Sequence, residues 1–348
     1  MRGRGLGRRV WENRGSRGRT RPGCPFFLAC GGCQYQHADY RYQTEQKRSI
    51  LRETLARIGK LTPPDDIDII AGPDWGYRNR VQLHLAGSQI GYLEAQSHKL
   101  VGITNCPIAS PRLNEAIGAL REMMRKPRFP RFIRSLELFT KEDGVQLNIL
   151  EKDQGIARSF FEWCAEAIPG YATGALHYDG YRVSYGSFFQ VNRFLIRQLV
   201  EAALETAATG ETALDLYAGV GLFSRPLAER FAPVTAVESG TSAVHDLEVN
   251  TDGKVRAVRE SVDQYLAGVT TTPDFVLADP PRAGLGKAVV EHLLRLRPQR
   301  LTLVACDPTT LARDLAALLG GGYSLRKMVL VDLFPQTFHI ETVAHLQL

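Results

Sequence analysis

Cys306 and Glu341, near the C-terminal end of the chain, are the residues best suited to covalent chemistry. Cys306 follows the apolar run 301–305, and Glu341 lies 35 residues further along the chain. A thiolate can form a covalent intermediate, and a carboxylate can act as a general base. Residues 307–311 predict a helix start directly after Cys306, whose dipole would lower the pKa of the thiol. Each residue alone also has a structural interpretation, as a buried cysteine or an exposed strand residue.

A glycine turn upstream of this pair is typical of a site for an adenosine-containing cofactor. The strand-like run 213–217 leads into Gly219 and Gly221, and Glu238 ends the next such run, 17 residues after Gly221. Glycines let the backbone approach a ligand, and a carboxylate there can accept hydrogen bonds from ribose hydroxyls. Ser224 stands where a dinucleotide fingerprint has its third glycine, which favours S-adenosylmethionine (SAM) over NAD. An ordinary strand-to-helix turn is the alternative.

A nucleophile, a base and a methyl donor together could methylate an unactivated pyrimidine carbon. Uracil C5 is a poor nucleophile, but a thiolate added at C6 makes an enolate whose C5 can attack a sulfonium methyl group. The C5 proton must then leave, and Glu341 could accept it. Asp279, which precedes two prolines after a later strand-like run, is expected at the ligand-binding edge of the same sheet.

The order of the elements predicts a mainly α/β protein with several parts. Strand-like runs alternate with helical segments over 183–348, which predicts a Rossmann-like SAM domain with a mostly parallel sheet. Residues 63–182 have short alternating runs and are expected to form a β-rich middle domain that recognises RNA. Residues 22–62 combine a cysteine-rich segment with an amphipathic helix, whose apolar positions are Ile50, Leu51, Leu55 and Ile58.

Composition and charge favour a cytoplasmic protein whose basic N-terminal residues could neutralise phosphates. The chain of 348 residues is 44% hydrophobic and carries a formal net charge of +6. It has neither a membrane-length apolar stretch nor a signal peptide, so we expect a cytoplasmic protein with no membrane association, and a monomer. Residues 1–21 contain eight arginines among glycines and predict a disordered basic tail, or simply a solvated extension.

A second basic cluster lies in the expected middle domain. It interleaves cationic with aromatic residues and predicts contacts with phosphates and stacked bases, although a solvated helix end would have the same composition. Its members are Arg121, Arg125, Lys126, Arg128, Phe129, Arg131, Phe132 and Arg134. Attack at C6 also needs access to the face of the base, so we expect the target uridine to be flipped out or in a loop.

Five motifs in order resemble the RNA uracil-5-methyltransferase family, the SAM-dependent enzymes that make 5-methyluridine in ribosomal and transfer RNA. The motifs are Ser187–Asn192, Asp215–Gly221, Asp279–Gly284, Ala305–Pro308 and His339–Thr342. The resemblance implies that Cys306 is the nucleophile and Glu341 the proton-abstracting base. It also implies that Gln190, Tyr217, Glu238 and Asp279 surround SAM and the target base. Leu222 departs from the family, in which a polar residue is common at that position.

Four cysteines predict a metal centre in the N-terminal part. Cys24, Cys30 and Cys33 follow a C-x5-C-x2-C pattern, and Cys106 is a distant fourth. The spacing favours an iron–sulfur cluster, with zinc or unrelated core cysteines as alternatives. The resemblance implies a [4Fe-4S] cluster, which we expect to be structural because a fourth cysteine completes its ligands. Cys164 is expected in the core.

The resulting prediction is methylation at C5 of a specific uridine, in 23S ribosomal RNA by preference or in transfer RNA. An amino-group methyltransferase is one alternative, because Asp279-Pro280-Pro281 is similar to the motif of those enzymes, but Arg282 replaces its stacking aromatic residue. A noncatalytic RNA-binding or assembly factor is another. Cytosine is disfavoured because residues 279–284 contain no second cysteine.

Overall fold

The computed structural model describes residues 18–348, which form two main β-sheets with flanking helices. Most of the expected basic tail, residues 1–17, lies outside the described residues. Within the described part, no helix is both long and apolar enough to cross a membrane.

The elements follow one another as a cysteine-rich segment, a helix, an antiparallel sheet and an α/β sheet. The helices are α1 Tyr40–Arg57, α2 Pro111–Met124, α3 Arg158–Ala167, α4 Ile196–Ala203, α5 Ser224–Leu227, α6 Thr241–Thr251, α7 Val262–Gly268, α8 Lys287–Leu296 and α9 Pro308–Gly320. The strands are β1 Asp68–Ile70, β2 Arg80–Ala86, β3 Gln89–Leu93, β4 Leu100–Gly102, β5 Ile133–Thr140, β6 Val145–Lys152, β7 Leu176–Tyr178, β8 Tyr181–Val183, β9 Ala213–Leu216, β10 Val234–Glu238, β11 Val255–Arg259, β12 Phe275–Ala278, β13 Arg300–Ala305, β14 Ser324–Val331 and β15 Glu341–Gln347.

The larger sheet has eight strands in the order β1-β14-β15-β13-β12-β9-β10-β11. Its central strands are parallel, and all residues of β9 and β12 are buried because helices cover both faces. The predicted α/β architecture is confirmed. The last two strands, β14 and β15, form an antiparallel hairpin that places β15 beside β13. Strand β1, which falls in the range expected for the middle domain, pairs with β14 instead.

The smaller sheet is antiparallel, in the order β4-β3-β2-β5-β6, and packs against α2 and α3. Its apolar face and the two helices form a separate core. Cys164 lies in that core and is completely buried, as expected. The β-rich character of this part agrees with the sequence, whereas its role in RNA recognition stays a prediction.

Helix α1 buries only two of the four apolar residues that predict its buried face. Leu51 and Leu55 are fully buried, but Ile50 and Ile58 are 37% and 54% exposed. The N-terminal half of the helix instead buries Gln43, Thr44 and Lys47. Polar residues are buried only where they find hydrogen-bond partners, so this half of α1 must face a polar surface.

Candidate active site

The predicted site residues meet at one edge of the larger sheet. Glu238 ends β10, Asp279 follows β12, and Cys306 follows β13, so all three lie at the carboxyl ends of parallel strands. Glu341 begins β15, which runs antiparallel to β13. The start of an antiparallel strand lies at the same edge as the ends of its parallel neighbours. The fold therefore gathers these residues from four separate segments.

Cys306 and Glu341 lie at the ends of two directly paired strands, β13 and β15. Ala305 of β13 pairs with Thr342 of β15, and continuing this antiparallel register by one residue sets Cys306 opposite Glu341. Opposite positions of an antiparallel pair bring Cβ atoms to about 5 Å. The charge of Glu341 acts on the thiol, in agreement with this proximity.

The thiol of Cys306 is protonated in this arrangement. Burial and then the charges of Glu341 and Asp279 raise its pKa to about 11, while the charge of Arg282 acts in the opposite direction. The predicted helix start is confirmed at α9, but the expected lowering of the thiol pKa is wrong. The Asp307 side chain caps α9 by accepting hydrogen bonds from the Thr309 and Thr310 N–H groups. That carboxylate occupies the helix N-terminus, and two further carboxylates face the sulfur.

Two neighbouring carboxyl groups share the interior of this edge. Burial and then the charge of Asp279 raise the pKa of Glu341 well above its usual range. Burial and the charge of Asp215 likewise raise the pKa of Asp279. Like charges in a desolvated space disfavour one another, so each of these carboxyl groups holds its proton to a higher pH than a solvent-exposed one. A carboxylate with a raised pKa is a better proton acceptor once it has lost its own proton.

The glycine turn and Glu238 form one hydrogen-bonded unit. The Glu238 carboxylate accepts from the Gly219 N–H at 3.0 Å and from the Gly240 N–H at 2.7 Å, and the residue is only half-buried. Gly219 has φ +55° and open space where a Cβ would lie. Tyr217 has φ +62°, a conformation that aromatic residues rarely adopt and that often marks a functional site. A half-exposed carboxylate beside an open glycine backbone suits an adenosine ribose.

The turn after Asp279 is held by α9, the helix that follows Cys306. Asp314 accepts a hydrogen bond from the Leu285 N–H at 2.7 Å, and Arg313 donates to the Ala283 carbonyl at 2.8 Å. A Cβ at Gly284 would lie 2.4 Å from the Asp314 carboxylate, so the turn requires glycine there. Arg282 in this turn is exposed, and its charge acts on Cys306. The sequence interpretation noted Arg282 only as a missing aromatic residue.

Gln190 is buried in a segment that hydrogen bonds fix from two sides. Asp246 of α6 accepts from the Ser184 and Ser187 hydroxyl groups, each at 2.7 Å, while Asn79 donates to the Gln190 carbonyl at 3.1 Å. Asp246 is completely buried, and no feature of the sequence around it distinguishes it from an ordinary helix residue. Leu222 is also buried.

The four predicted metal ligands line one cavity. Cys24, Cys30, Cys33 and Cys106 are each half-buried and surround a volume of about 610 Å³. Burial first raises the pKa of Cys33 to about 12, and the other three thiols add to the shift. Among residues 18–348, however, no three His, Cys, Asp or Glu side chains are grouped closely enough to hold one metal ion.

The basic cluster of the middle domain is largely engaged within the protein. Phe129 is buried in the core of the smaller sheet, so the expected base stacking on it is wrong. Arg128 stacks on Trp163, and Arg125 and Arg134 form ion pairs with Glu122 and Asp153.

Comparison with known proteins identifies the family. The model of the tRNA (uracil-5-)-methyltransferase family matches residues 175–348. The 23S rRNA (uracil(1939)-C(5))-methyltransferase RlmD of Cronobacter sakazakii is 32% identical over 366 residues, 94% of this chain and 82% of that protein. The chain belongs to this family. An uncharacterized RNA methyltransferase of Aquifex aeolicus is 30% identical, over 94% of this chain and 84% of that protein.

A solved structure of the family has the same overall architecture. The tRNA (uracil-54, C5)-methyltransferase of Pyrococcus abyssi, crystallised with S-adenosyl-L-homocysteine, superposes with a TM-score of 0.73 at 27% identity. The match covers 91% of this chain and 86% of that one. This chain is therefore a SAM-dependent RNA uracil-C5 methyltransferase, and the alternatives of amino-group transfer and a noncatalytic role lose their support.

Proposed function

We propose that this methyltransferase modifies a uridine of 23S ribosomal RNA through a covalent bond between Cys306 and C6. The observation that carries the proposal is the register of β13 with β15, whose last pair, Ala305 with Thr342, lies directly beside Cys306 and Glu341. A second candidate substrate is transfer RNA, which the family description and the Pyrococcus abyssi enzyme both name. The RlmD relatives favour ribosomal RNA.

The roles follow from what each side chain can do. Cys306, after losing its proton, adds to C6, and the displaced electron pair makes C5 nucleophilic. SAM would supply an electrophilic methyl group on a positively charged sulfur, so that C5 gains the methyl group and S-adenosyl-L-homocysteine leaves with the electron pair of the broken sulfur–carbon bond. Glu341 then takes the C5 hydrogen as a proton, the C–H electron pair restores the C5–C6 double bond, and the C6–S bond breaks to release the Cys306 thiolate. Arg282 would favour that thiolate, because its charge opposes those of the two carboxylates.

The donor site would use the glycine turn and the carboxylates around it. Gly219 leaves open space for the backbone to approach the ligand, and Gly221 is required because a Cβ there would lie 2.7 Å from Leu247. Glu238 would accept hydrogen bonds from the ribose. Tyr217, Gln190 and Asp279 would line the rest of the site. The open space at Gly219 and the half-exposed Glu238 carboxylate support this fit.

A [4Fe-4S] cluster is the metal centre that we propose for the cysteine cavity. Cys24, Cys30, Cys33 and Cys106 line this cavity, and cysteine thiolates are the ligands of such clusters. The cluster would supply structural cross-links between the N-terminal segment and the middle domain.

Glu341→Gln tests the chemistry directly. The amide cannot accept the C5 proton, so the enzyme should methylate once and remain bound to RNA through Cys306. The adduct is measured on a denaturing gel with labelled RNA, and Glu341→Gln with Cys306→Ala is the control that should form none. Normal turnover by Glu341→Gln would contradict the assignment of the base.

The substrate is tested by mapping 5-methyluridine in cells with and without the gene. Loss of one site in 23S ribosomal RNA is expected, and restoration of that site by the wild-type but not the Cys306→Ala protein would assign it. Loss of a transfer RNA site instead would favour the second candidate.

The cluster is tested by metal analysis of protein purified without oxygen. We expect about four iron atoms per chain with matching sulfide. Cys30→Ser should lose most of this iron, whereas Cys164→Ser, a substitution of a buried core thiol, should keep it. Zinc in place of iron would contradict the proposal.

A further inference from the structure

The segment before Glu341 is held by contacts with the N-terminal part of the chain and by Tyr77 and Asn192, which donate hydrogen bonds to the Pro335 and Leu333 carbonyls. We call residues 332–340 the base loop, because they connect β14 to Glu341 at the start of β15. Lys47 of α1 forms a fully buried ion pair with Asp332 at 2.6 Å and donates to the Phe334 carbonyl at 2.9 Å. Because both contacts of this buried ammonium group are with the base loop, they fix the position of the loop.

Gln336, in the middle of the base loop, is the most constrained residue of this connection. It is 2% exposed and has φ +67°, a left-handed conformation that costs free energy for a residue other than glycine. Its N–H donates to the Gln43 Oε1 atom, and the Gln43 Nε2 atom donates back to its Oε1 atom, both at 3.0 Å. Its own Nε2 atom donates to Asp74 at 3.0 Å.

The Gln336 carbonyl is held by the cysteine-rich segment. It accepts from the Gln34 and Tyr35 N–H groups, each at 2.9 Å, and these residues directly follow Cys33. With this bond, every hydrogen-bonding group of Gln336 has a partner, and none of the partners belongs to the larger sheet. The strained backbone of the base loop therefore depends on contacts outside the element that carries Glu341.

We propose that Gln43 is a positioning residue, which acts through Gln336 to hold Glu341 in place for removal of the C5 proton. The inference rests on the proposed role of Glu341 as the base. Four residues separate Gln336 from Glu341, and two of them, Phe338 and His339, face the cysteine cavity. The β-ladder fixes the backbone from Glu341 onward, so release of the base loop should change the orientation of the carboxylate without unfolding the strand.

This role predicts a defect in one step only. Cys306 and the glycine turn are positioned by β13, α9 and β9, so formation of the adduct should not depend on Gln43. Proton removal depends on Glu341, so a displaced base loop should slow release. A residue that merely stabilises the fold would lower all steps together and would not cause an adduct to accumulate.

The test compares Gln43→Met with Thr44→Val in the full-length holoprotein. Gln43→Met keeps the size of the side chain and removes its hydrogen bonds. Thr44, also buried in α1, bonds only to the Arg41 carbonyl of its own helix. We expect kcat of Gln43→Met to fall roughly tenfold, since misplacement of about 1 Å costs up to about 100-fold. KM for RNA and Kd for SAM should change less than about twofold, and a covalent RNA adduct should accumulate.

Gln336→Asn is a gentler second variant if Gln43→Met folds poorly. Asparagine tolerates positive φ, so the backbone hydrogen bonds should remain. The shortened side-chain amide should lose its hydrogen bonds with Gln43 and Asp74. It should accumulate the same adduct, to a smaller extent.

The outcomes separate this inference from the proposed function. Adduct in Glu341→Gln and in Gln43→Met, but not in Thr44→Val, supports both. Adduct in Glu341→Gln alone, with Gln43→Met and Gln336→Asn either active or slowed without adduct, overturns the positioning role only. If Glu341→Gln forms no adduct, the proposed base is wrong and the inference fails with it.

Discussion

The two cysteine sites of this protein differ in the titratable groups that surround their thiols. Cys306 lies at the edge of the larger sheet, where Glu341 and Asp279 are its charged neighbours. Cys33 lies in the N-terminal cavity, where its charged neighbours are the thiols of Cys24, Cys30 and Cys106. Burial raises the pKa of both. The carboxyl groups beside Cys306 oppose its thiolate and Arg282 favours it, whereas the thiols of the cavity become stable anions only when a metal binds them.

The base loop connects these two sites. Its end leads into Glu341, and its middle contacts the segment that directly follows Cys33. The N-terminal part of the chain is thus expected to affect catalysis through the position of the base, although it contributes no group to the chemistry.

Removing the proposed nucleophile should have the largest effect on turnover. Cys306→Ala is expected to lower kcat by at least about 10⁴-fold, as loss of a covalent nucleophile does elsewhere. Cys164→Ala is the matched control, because this core thiol touches neither site. It should cost about 1 kcal/mol of stability and leave turnover almost unchanged. Methyl transfer to RNA measures both, and turnover by Cys306→Ala would exclude covalent catalysis.

Breaking the buried ion pair should test how firmly the N-terminal part holds the base loop. Lys47→Met leaves Asp332 buried without its partner, which costs about 3–5 kcal/mol in comparable cases. Lys47→Met with Asp332→Leu removes both charges and should recover most of that loss. Denaturant unfolding measures the free energies. Equal stability of the single and double variants would mean that the pair contributes little to this contact.

The smallest expected effect is the pH dependence of the reactivity of Cys306. With a pKa near 11, the thiolate fraction should rise roughly tenfold per pH unit between pH 7 and 9, and alkylation of Cys306 should rise with it. Because folding raises this pKa, the folded state holds the proton more tightly, and its contribution to stability is lost as pH rises from the usual thiol range through 11.

Glu341→Gln removes one cause of that shift and provides the control. Alkylation of Cys306 at pH 8 should become several-fold faster in this variant, because one of the charges that oppose the thiolate is gone. Mass spectrometry of the labelled peptide measures the rate. An unchanged rate would mean that burial alone sets the pKa of this thiol.

Local patterns were sufficient for most of the architecture. Apolar runs predicted β9, β10, β12 and β13, and they form as parallel strands because buried strands of α/β sheets need apolar residues on both faces. The helix after Cys306 was also predicted, from Asp307 and Pro308. The pKa of the thiol was not, because burial and the carboxyl groups of Glu341 and Asp279, which are distant in sequence, raise it.

Two further predictions, on the buried face of α1 and on Phe129, were wrong because contacts between residues distant in sequence determine burial. Periodicity selected Ile50 and Ile58 for the buried face of α1, whereas the structure buries Gln43 and Lys47 against the base loop. Phe129 was assigned to a surface for RNA and lies in a core instead. In each case a partner far away in sequence decided which side of the element faces inward.

The sequence by itself determined which residue types are available and which short segments become helices, strands and glycine turns, because these depend on neighbours within a few positions. Tertiary contacts place Cys306 beside Glu341, bring Cys106 into one cavity with Cys24, Cys30 and Cys33, and pack α1 against the loop before Glu341. Pairing between remote strands and the electrostatics of a buried site depend on distances through space, which no local pattern contains.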